Sequence, residues 1–150
     1  MDPASDAHFS HFGICVNDLD RSLRFYCDAL GFEKAESHEI GSEFAALMDL
    51  PAVAVTSQFI RKGPTAIELL AFHEPAPVGD RERRAVNELG LTHLSFRVDD
   101  LAAIEARIKE LGGAVVESSR TKIDLGGHPL EFVYYTDPDG VRVELMDFGG

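Results

Sequence analysis

Hydrophobic and polar residues alternate along this chain in two rhythms, and both rhythms recur in the same order. From Phe9 to Val16 the residues are mostly apolar, β-branched or aromatic, which predicts a strand buried on at least one face. Asn17-Asp18 ends it. Asp18 or Asp20 can cap the following helix, whose apolar stripe is Leu19, Leu23, Phe25, Tyr26 and Leu30, with Gly31 as its stop. Phe32 to His38 reads as a second strand, Gly41-Ser42 as a turn, and Glu43 to Leu50 as a short helix ended by Pro51. Val53 to Arg61 and Thr65 to Phe72 then predict an antiparallel hairpin turned at Lys62-Gly63-Pro64.

The stretch from His73 to Gly90 breaks the rhythm with Pro75, Pro77, Gly79 and a mixed charged cluster, Asp80 to Arg84, and reads as a solvated linker. Beyond it the order repeats. Leu91 to Val98 predicts a strand, and Asp100 to Leu111 a helix with the stripe Leu101, Ile104, Ile108 and Leu111, ended by Gly112-Gly113. Glu131 to Thr136 and Val141 to Phe148 predict a hairpin around Asp137-Pro138-Asp139-Gly140. Each half is therefore roughly a strand, a helix and three strands. This is an α+β chain of one domain, with modules at about 8–74 and 90–148 and a linker at about 75–89.

The repeat extends to individual residues. At one common offset His11 falls on His93, Val16 on Val98, Asp18 on Asp100 and Leu19 on Leu101. At a second, Glu68 falls on Glu144, Leu69 on Leu145, Leu70 on Met146 and Phe72 on Phe148. Strand parity puts His11 with Gly13 and Cys15, and His93 with Ser95 and Arg97. It also puts Glu68 with Leu70 and Phe72, and Glu144 with Arg142, Met146 and Phe148. A glutamate inside the apolar run AIELLAF is costly to bury unless paired or neutralised, and the chain presents that problem twice. If the modules face a common cavity, His11, Glu68, His93 and Glu144 converge on one cation. Two imidazoles and two carboxylates suit Ni, Co, Zn, Mn or Fe(II), and on an octahedral ion they leave two positions for a chelating substrate.

Composition narrows the partners. With 45% hydrophobic residues the chain can build a core, and a net charge of −12 repels nucleic acid and anionic membranes, leaving a small molecule as the expected partner. No segment approaches the ~18 apolar residues of a membrane span, and the start of the chain lacks the pattern of a secretory signal. Cys15 and Cys27, without metal or redox spacing, read as buried free thiols, so a cytoplasmic location is expected.

At these residues the chain resembles the vicinal oxygen chelate superfamily, which includes glyoxalase I, methylmalonyl-CoA epimerase, extradiol dioxygenases and the fosfomycin and bleomycin resistance proteins. The resemblance covers almost the whole chain. It is carried by His11 with NDLDRSLRFYCDALGF, the glutamate of AIELLAF, His93 in GLTHLSFRVDDL, and DPDGVRVEL with Glu144. It implies paired βαβββ modules forming a cup-shaped mixed sheet around one divalent metal, and a homodimer. The ligand set resembles that of glyoxalase I. Epimerases of the superfamily usually carry Gln at the second position, and the dioxygenases and fosfomycin enzymes use two His and one Glu.

The resemblance thus implies a metal-dependent lyase or isomerase. Its proton transfer would pass through a metal-stabilised enediolate or enolate of a 2-oxoaldehyde thiol adduct or an acyl thioester. Glu144 is the preferred base, with Glu68 able to act on the opposite face. Arg97, sharing parity with His93, is a candidate for a substrate carboxylate, with a salt bridge to Asp99, Asp100 or Glu144 as the alternative. The stretch GGHPLEFVYYTDPDGVRVE also resembles the extradiol dioxygenase signature, in which His128 and Tyr134 would assist an Fe(II)-bound catechol. That ring-cleaving enzyme, and a non-catalytic binder like the bleomycin-sequestering relatives, are the competing readings.

Overall fold

A computed structural model describes residues 3–149 and divides the chain into two compact units. The first comprises Met1–Leu19 and Phe32–Pro77; the second comprises Asp20–Gly31 and Val78–Gly150. Each unit contains one four-stranded mixed sheet, and the element order repeats as strand, helix and three strands.

In the first unit β1 (Phe12–Val16), β2 (Glu33–Ile40), β3 (Ala54–Lys62) and β4 (Thr65–Glu74) are arranged in the order β1-β4-β3-β2. β3 and β4 form the expected hairpin, closing at Lys62 opposite Thr65, while β1 runs parallel to β4. Alternation sorts the strands cleanly. Ile14, Val16, Ile60, Ile67 and Leu69 are buried on one face, whereas Glu68, Leu70 and Phe72 of the other are half-buried. Part of that second face is covered by the connection between β2 and β3. There Ala45, Val53 and Val55 are buried together, with Ile40, Met48, Leu50, Leu70 and Phe72 packed against them.

That connection is not the helix expected over Glu43 to Leu50. It makes a single 3₁₀ turn, Ser42–Phe44, and then a series of turns. The Ser42 hydroxyl accepts from Val53 N–H at 3.2 Å and Asp49 has a positive φ of 54°, so the segment is folded back on itself. Spreading Ala45, Met48, Leu50 and Val53 over the sheet outweighs a helical ladder of eight residues, which is too short to hold by itself.

In the second unit β5 (Leu94–Val98), β6 (Ala114–Asp124), β7 (Pro129–Thr136) and β8 (Arg142–Asp147) take the equivalent order β5-β8-β7-β6, again with the first strand parallel to the last. Helix α2 (Leu101–Glu110) starts as predicted, with the Asp100 carboxylate accepting from Ala103 N–H at 2.9 Å. The predicted first helix is α1 (Leu19–Leu23), continued over Arg24–Ala29 as a wider π-helical turn that buries the adjacent Phe25 and Tyr26 completely. This stretch packs against α2 within the second unit. Gly113 is required there, because a Cβ would come within 2.6 Å of Ile108, 2.7 Å of Phe25 and 2.8 Å of the Thr136 carbonyl.

Two ties hold this unit together. The Tyr26 hydroxyl donates to Asp137 at 2.7 Å, and Asp137 also accepts from the N–H groups of Asp139 and Val141, setting the turn before β8. Burial pushes the Asp137 carboxyl upward against those hydrogen bonds. Across α2, β6 and β7, Glu105 meets Lys109, Arg120 and Tyr135, and Arg120 also binds Glu117 and Glu131. Burial works to raise the Glu105 carboxyl, but the hydrogen bonds from Lys109, Tyr135 and Arg120 outweigh it and hold it at about 2.

Other expectations need adjustment. β4 continues through His73 to Glu74, and the charged stretch after it is anchored at Arg84, whose carbonyl accepts from Arg142. Cys15 and Cys27 form no disulfide, but Cys15 is exposed and Cys27 half-buried rather than both being buried. Cys15 alternates with the buried Ile14 and Val16, which places it on the open face. No helix among the described residues is long and apolar enough to cross a membrane.

Candidate metal centre

The histidines lie just outside their strands. β1 begins at Phe12 and β5 at Leu94, so His11 and His93 precede the first ladder residue in each case rather than sitting inside the predicted strands. Within the first unit the structure brings His11 to Glu68, with Nε2 at 3.1 Å from Oε2. Within the second it brings His93 toward Glu144, with Nε2 at 3.8 Å from Oε1. The side chains of both glutamates are 17% exposed. Among the described residues no group of three His, Cys, Asp or Glu stands in metal-binding geometry, so each unit carries a His–Glu pair.

The support around each pair is closely matched. Nδ1 of His11 lies 2.8 Å from the Ser10 hydroxyl, and Nδ1 of His93 lies 2.8 Å from the Thr92 hydroxyl. A hydroxyl accepting from Nδ1–H leaves the Nε2 lone pair free for a cation, the arrangement that outer-shell groups give to ligating histidines. Opposite each glutamate in the antiparallel register stands an aromatic residue: Phe59 pairs with Glu68, and Tyr134 with Glu144. The Phe59 ring is 5.0 Å from the His11 ring, and the Tyr134 ring 5.5 Å from the His93 ring. The donors fit a divalent cation: each pair offers one imidazole nitrogen and one carboxylate, backed by hydroxyls and flanked by a ring.

The glutamates are tethered differently. The buried Ser57 hydroxyl donates to Glu68 Oε1 at 2.6 Å from β3, while Oε2 of the same carboxylate faces His11. In the second unit the exposed Ser95 on β5 donates to Glu144 Oε1 at 2.7 Å. The residue equivalent to Ser95 is Gly13, directly across from Glu68, and the residue equivalent to Ser57 is Phe132.

Arg97 lies on β5 two residues beyond Ser95, and its guanidinium sits 4.4 Å from the centre of the Phe148 ring. It makes no ion pair among the described residues, so the alternative of a salt bridge with Asp99, Asp100 or Glu144 is not formed there and the guanidinium stacks on an aromatic face. His128 is exposed in the turn between β6 and β7, where its carbonyl accepts from Leu125 N–H at 3.0 Å. Sequence reasoning missed Ser10, Thr92, Ser57, Phe59 and Arg142. For Ser10 and Thr92 a signal existed, because a hydroxyl residue precedes each repeated histidine. Ser57 and Ser95 come from non-equivalent strands, so no repeat could reveal them.

Comparison with known proteins agrees with this architecture. The profile of the Glyoxalase/Bleomycin resistance protein/Dioxygenase superfamily matches residues 8–145. An ethylmalonyl-CoA/methylmalonyl-CoA epimerase of Cereibacter sphaeroides is 33% identical over 138 residues, 91% of this chain and 94% of that protein. A probable lactoylglutathione lyase of Synechocystis is 29% identical over 136 residues, 91% of this chain and 92% of its own length. A glyoxalase family protein of Bacillus cereus shares the fold with a TM-score of 0.84 at 20% identity, covering 100% of this chain and 99% of its own. With a repeated βαβββ fold, a His–Glu pair in each repeat and a profile spanning nearly its whole length, the chain belongs to the glyoxalase/bleomycin resistance protein/dioxygenase, or vicinal oxygen chelate, superfamily.

Proposed function

We propose that this protein is a divalent-metal-dependent isomerase or lyase that moves a carbon-bound proton next to a carbonyl. His11, Glu68, His93 and Glu144 would hold one cation, of the Ni, Co, Zn, Mn or Fe(II) type. The observation that carries the reading is the twin construction: in both units an Nε2 faces a glutamate while Nδ1 rests on the hydroxyl of the preceding residue. When bound, such an ion polarises a carbonyl oxygen and stabilises negative charge that develops on it.

The residues divide the remaining work. Glu68, held at Oε1 by the hydroxyl of a buried serine, is suited to stay fixed. Glu144, with one hydroxyl tether from an exposed serine and a wider gap to its histidine, is suited to turn toward the substrate, remove its proton and return it. Arg97 offers an unpaired cation to an anionic substrate group, and Tyr134 lines the same side of the sheet as Glu144. Relatives named epimerase and lactoylglutathione lyase support acyl thioesters such as ethylmalonyl-CoA and methylmalonyl-CoA, or a 2-oxoaldehyde thiol adduct, as substrates to test. In the ring-cleaving alternative His128 and Tyr134 would assist the metal-bound substrate; Tyr134 stands beside His93 and Glu144, whereas His128 is exposed in the turn between β6 and β7.

The test is metal content per chain, by elemental analysis of untagged protein, for the wild type, His11→Ala and His93→Ala. One ion per chain, lost in either variant, is the expected result. No bound metal after reconstitution overturns the reading in favour of a binding protein. Two independent ions per chain, each lost in one variant only, overturn the shared centre.

A further inference from the structure

Arg142 opens β8 and is only 7% exposed, yet no carboxylate among the described residues lies within ion-pair distance of it. Glu88 feels its charge from a distance without touching it, so carbonyls and an aromatic face must replace most of the water that the buried guanidinium loses. Two of its three contacts are directed toward His93, and the third holds the Arg84 carbonyl in the stretch that precedes β5. Nη1 donates to the Thr92 carbonyl at 3.3 Å and Nη2 to the Arg84 carbonyl at 2.5 Å, while Nε has no partner among the described residues. The guanidinium carbon lies 5.3 Å from the centre of the Tyr134 ring.

Both routes lead to His93. Thr92 is the residue whose hydroxyl meets His93 Nδ1 at 2.8 Å, and Tyr134 is the ring that flanks the imidazole at 5.5 Å. His93 needs such support, because it precedes the β5 ladder and its Nε2 stands 3.8 Å from the nearest carboxylate oxygen. His11, by contrast, reaches Glu68 directly at 3.1 Å. Among the described residues the first unit has no counterpart of this buried cation. The repeat equivalent of Arg142 is the small buried Ala66, and the cation near Phe59 is Arg61, 50% exposed, 5.8 Å from the ring and paired with Glu36.

We propose that Arg142 is a positioning residue for His93, fixing the imidazole from two sides through the Thr92 carbonyl and the Tyr134 ring. This rests on the metal reading for its functional consequence but not for its geometry. A guanidinium satisfies two carbonyls and a ring face at once; an ammonium lacks the planar fork that does so.

The experiment has two arms on the full chain. In the first, ¹⁵N–¹H spectra of the histidine rings are recorded without metal for the wild type, Arg142→Lys and Tyr134→Leu. The His93 signals shift or broaden in both variants while the His11 signals stay in place. In the second, Co(II) is titrated into the same proteins, and affinity falls about tenfold in each variant, within the range for loss of outer-shell support. Thermal unfolding of the metal-free proteins identifies a variant that has not folded, and Arg142→Gln, which keeps the Tyr134 ring in place, then carries the test should Arg142→Lys fail. Unchanged His93 ring signals in a folded variant overturn the proposal. So does unchanged Co(II) affinity when the wild type binds. A wild type that binds no Co(II) overturns the metal reading instead, and the ring spectra alone then decide the role of Arg142.

Discussion

The two units are built on one plan, and their differences separate two ways of presenting a carboxylate. In the first unit Glu68 is held by a buried serine and faces His11 at 3.1 Å, and an apolar cluster covers part of the same sheet face. In the second Glu144 has one tether from an exposed serine, His93 depends on a buried arginine, and charged side chains brace α2 against β6 and β7. A duplicated scaffold therefore supplies equal donors with unequal freedom. On the proposed reading, in which one centre both holds a cation and moves a proton, that inequality divides the two tasks.

The largest effect expected from this difference is catalytic. Glu144→Gln should cut exchange of the substrate proton with solvent by about 10³-fold or more, toward the upper part of the usual range for lost general-base assistance, because on the proposed reading the same carboxylate is also a ligand. Glu68→Gln should act mainly through metal affinity, so added metal restores much of its rate. Deuterium incorporation from heavy water measures both, and equal, metal-independent losses would erase the division of labour.

The tethers come next. Ser57→Ala leaves a largely buried carboxylate oxygen without its donor and should weaken Co(II) binding about tenfold, whereas Ser95→Ala, at an exposed site where water can substitute, should cost about twofold. Calorimetric titration ranks the two. The opposite order would mean that Glu144 is the fixed partner.

Two smaller effects, on stability, contrast the bracing of the units. Val55, 1% exposed within the apolar cluster, should cost about 2 kcal/mol when changed to Ala, with little dependence on pH. Glu105→Gln should cost about 1–2 kcal/mol at neutral pH. Because the folded carboxyl sits at about 2, below its ordinary value of 4.5, its contribution is complete above about 4.5 and is lost as pH falls toward 2. Urea unfolding across that window should show the Glu105→Gln deficit closing while the Val55→Ala deficit persists.

Much of this was legible in the sequence because the information is local. The β3–β4 hairpin follows from alternation and Gly63, α2 from its apolar stripe and the Gly112-Gly113 stop, and the turn before β8 from Asp137 to Gly140, where a Cβ on Gly140 would come within 2.4 Å of the Arg81 carbonyl. The four candidate ligands were legible because they repeat. What stayed hidden depends on non-local geometry: the 42–53 connection follows the sheet it covers rather than its own propensity. Ser57 and Ser95 reach their glutamates from different strands. Arg142, charged and preceding a strand glutamate, gave no sign in its sequence context that it would be buried against Tyr134.

The parallel pairing of first and last strands also shapes how the protein must assemble. His11 and Glu68 are 57 positions apart, and they meet only when β1 docks beside β4, after the β3–β4 hairpin has had every chance to form locally. The same holds for β5 and β8. Each His–Glu pair is thus created by a long loop closure in its unit, so a partly folded chain presents no formed pair. Cation capture would then act as a late checkpoint, pulling the equilibrium toward chains whose two sheets are already closed.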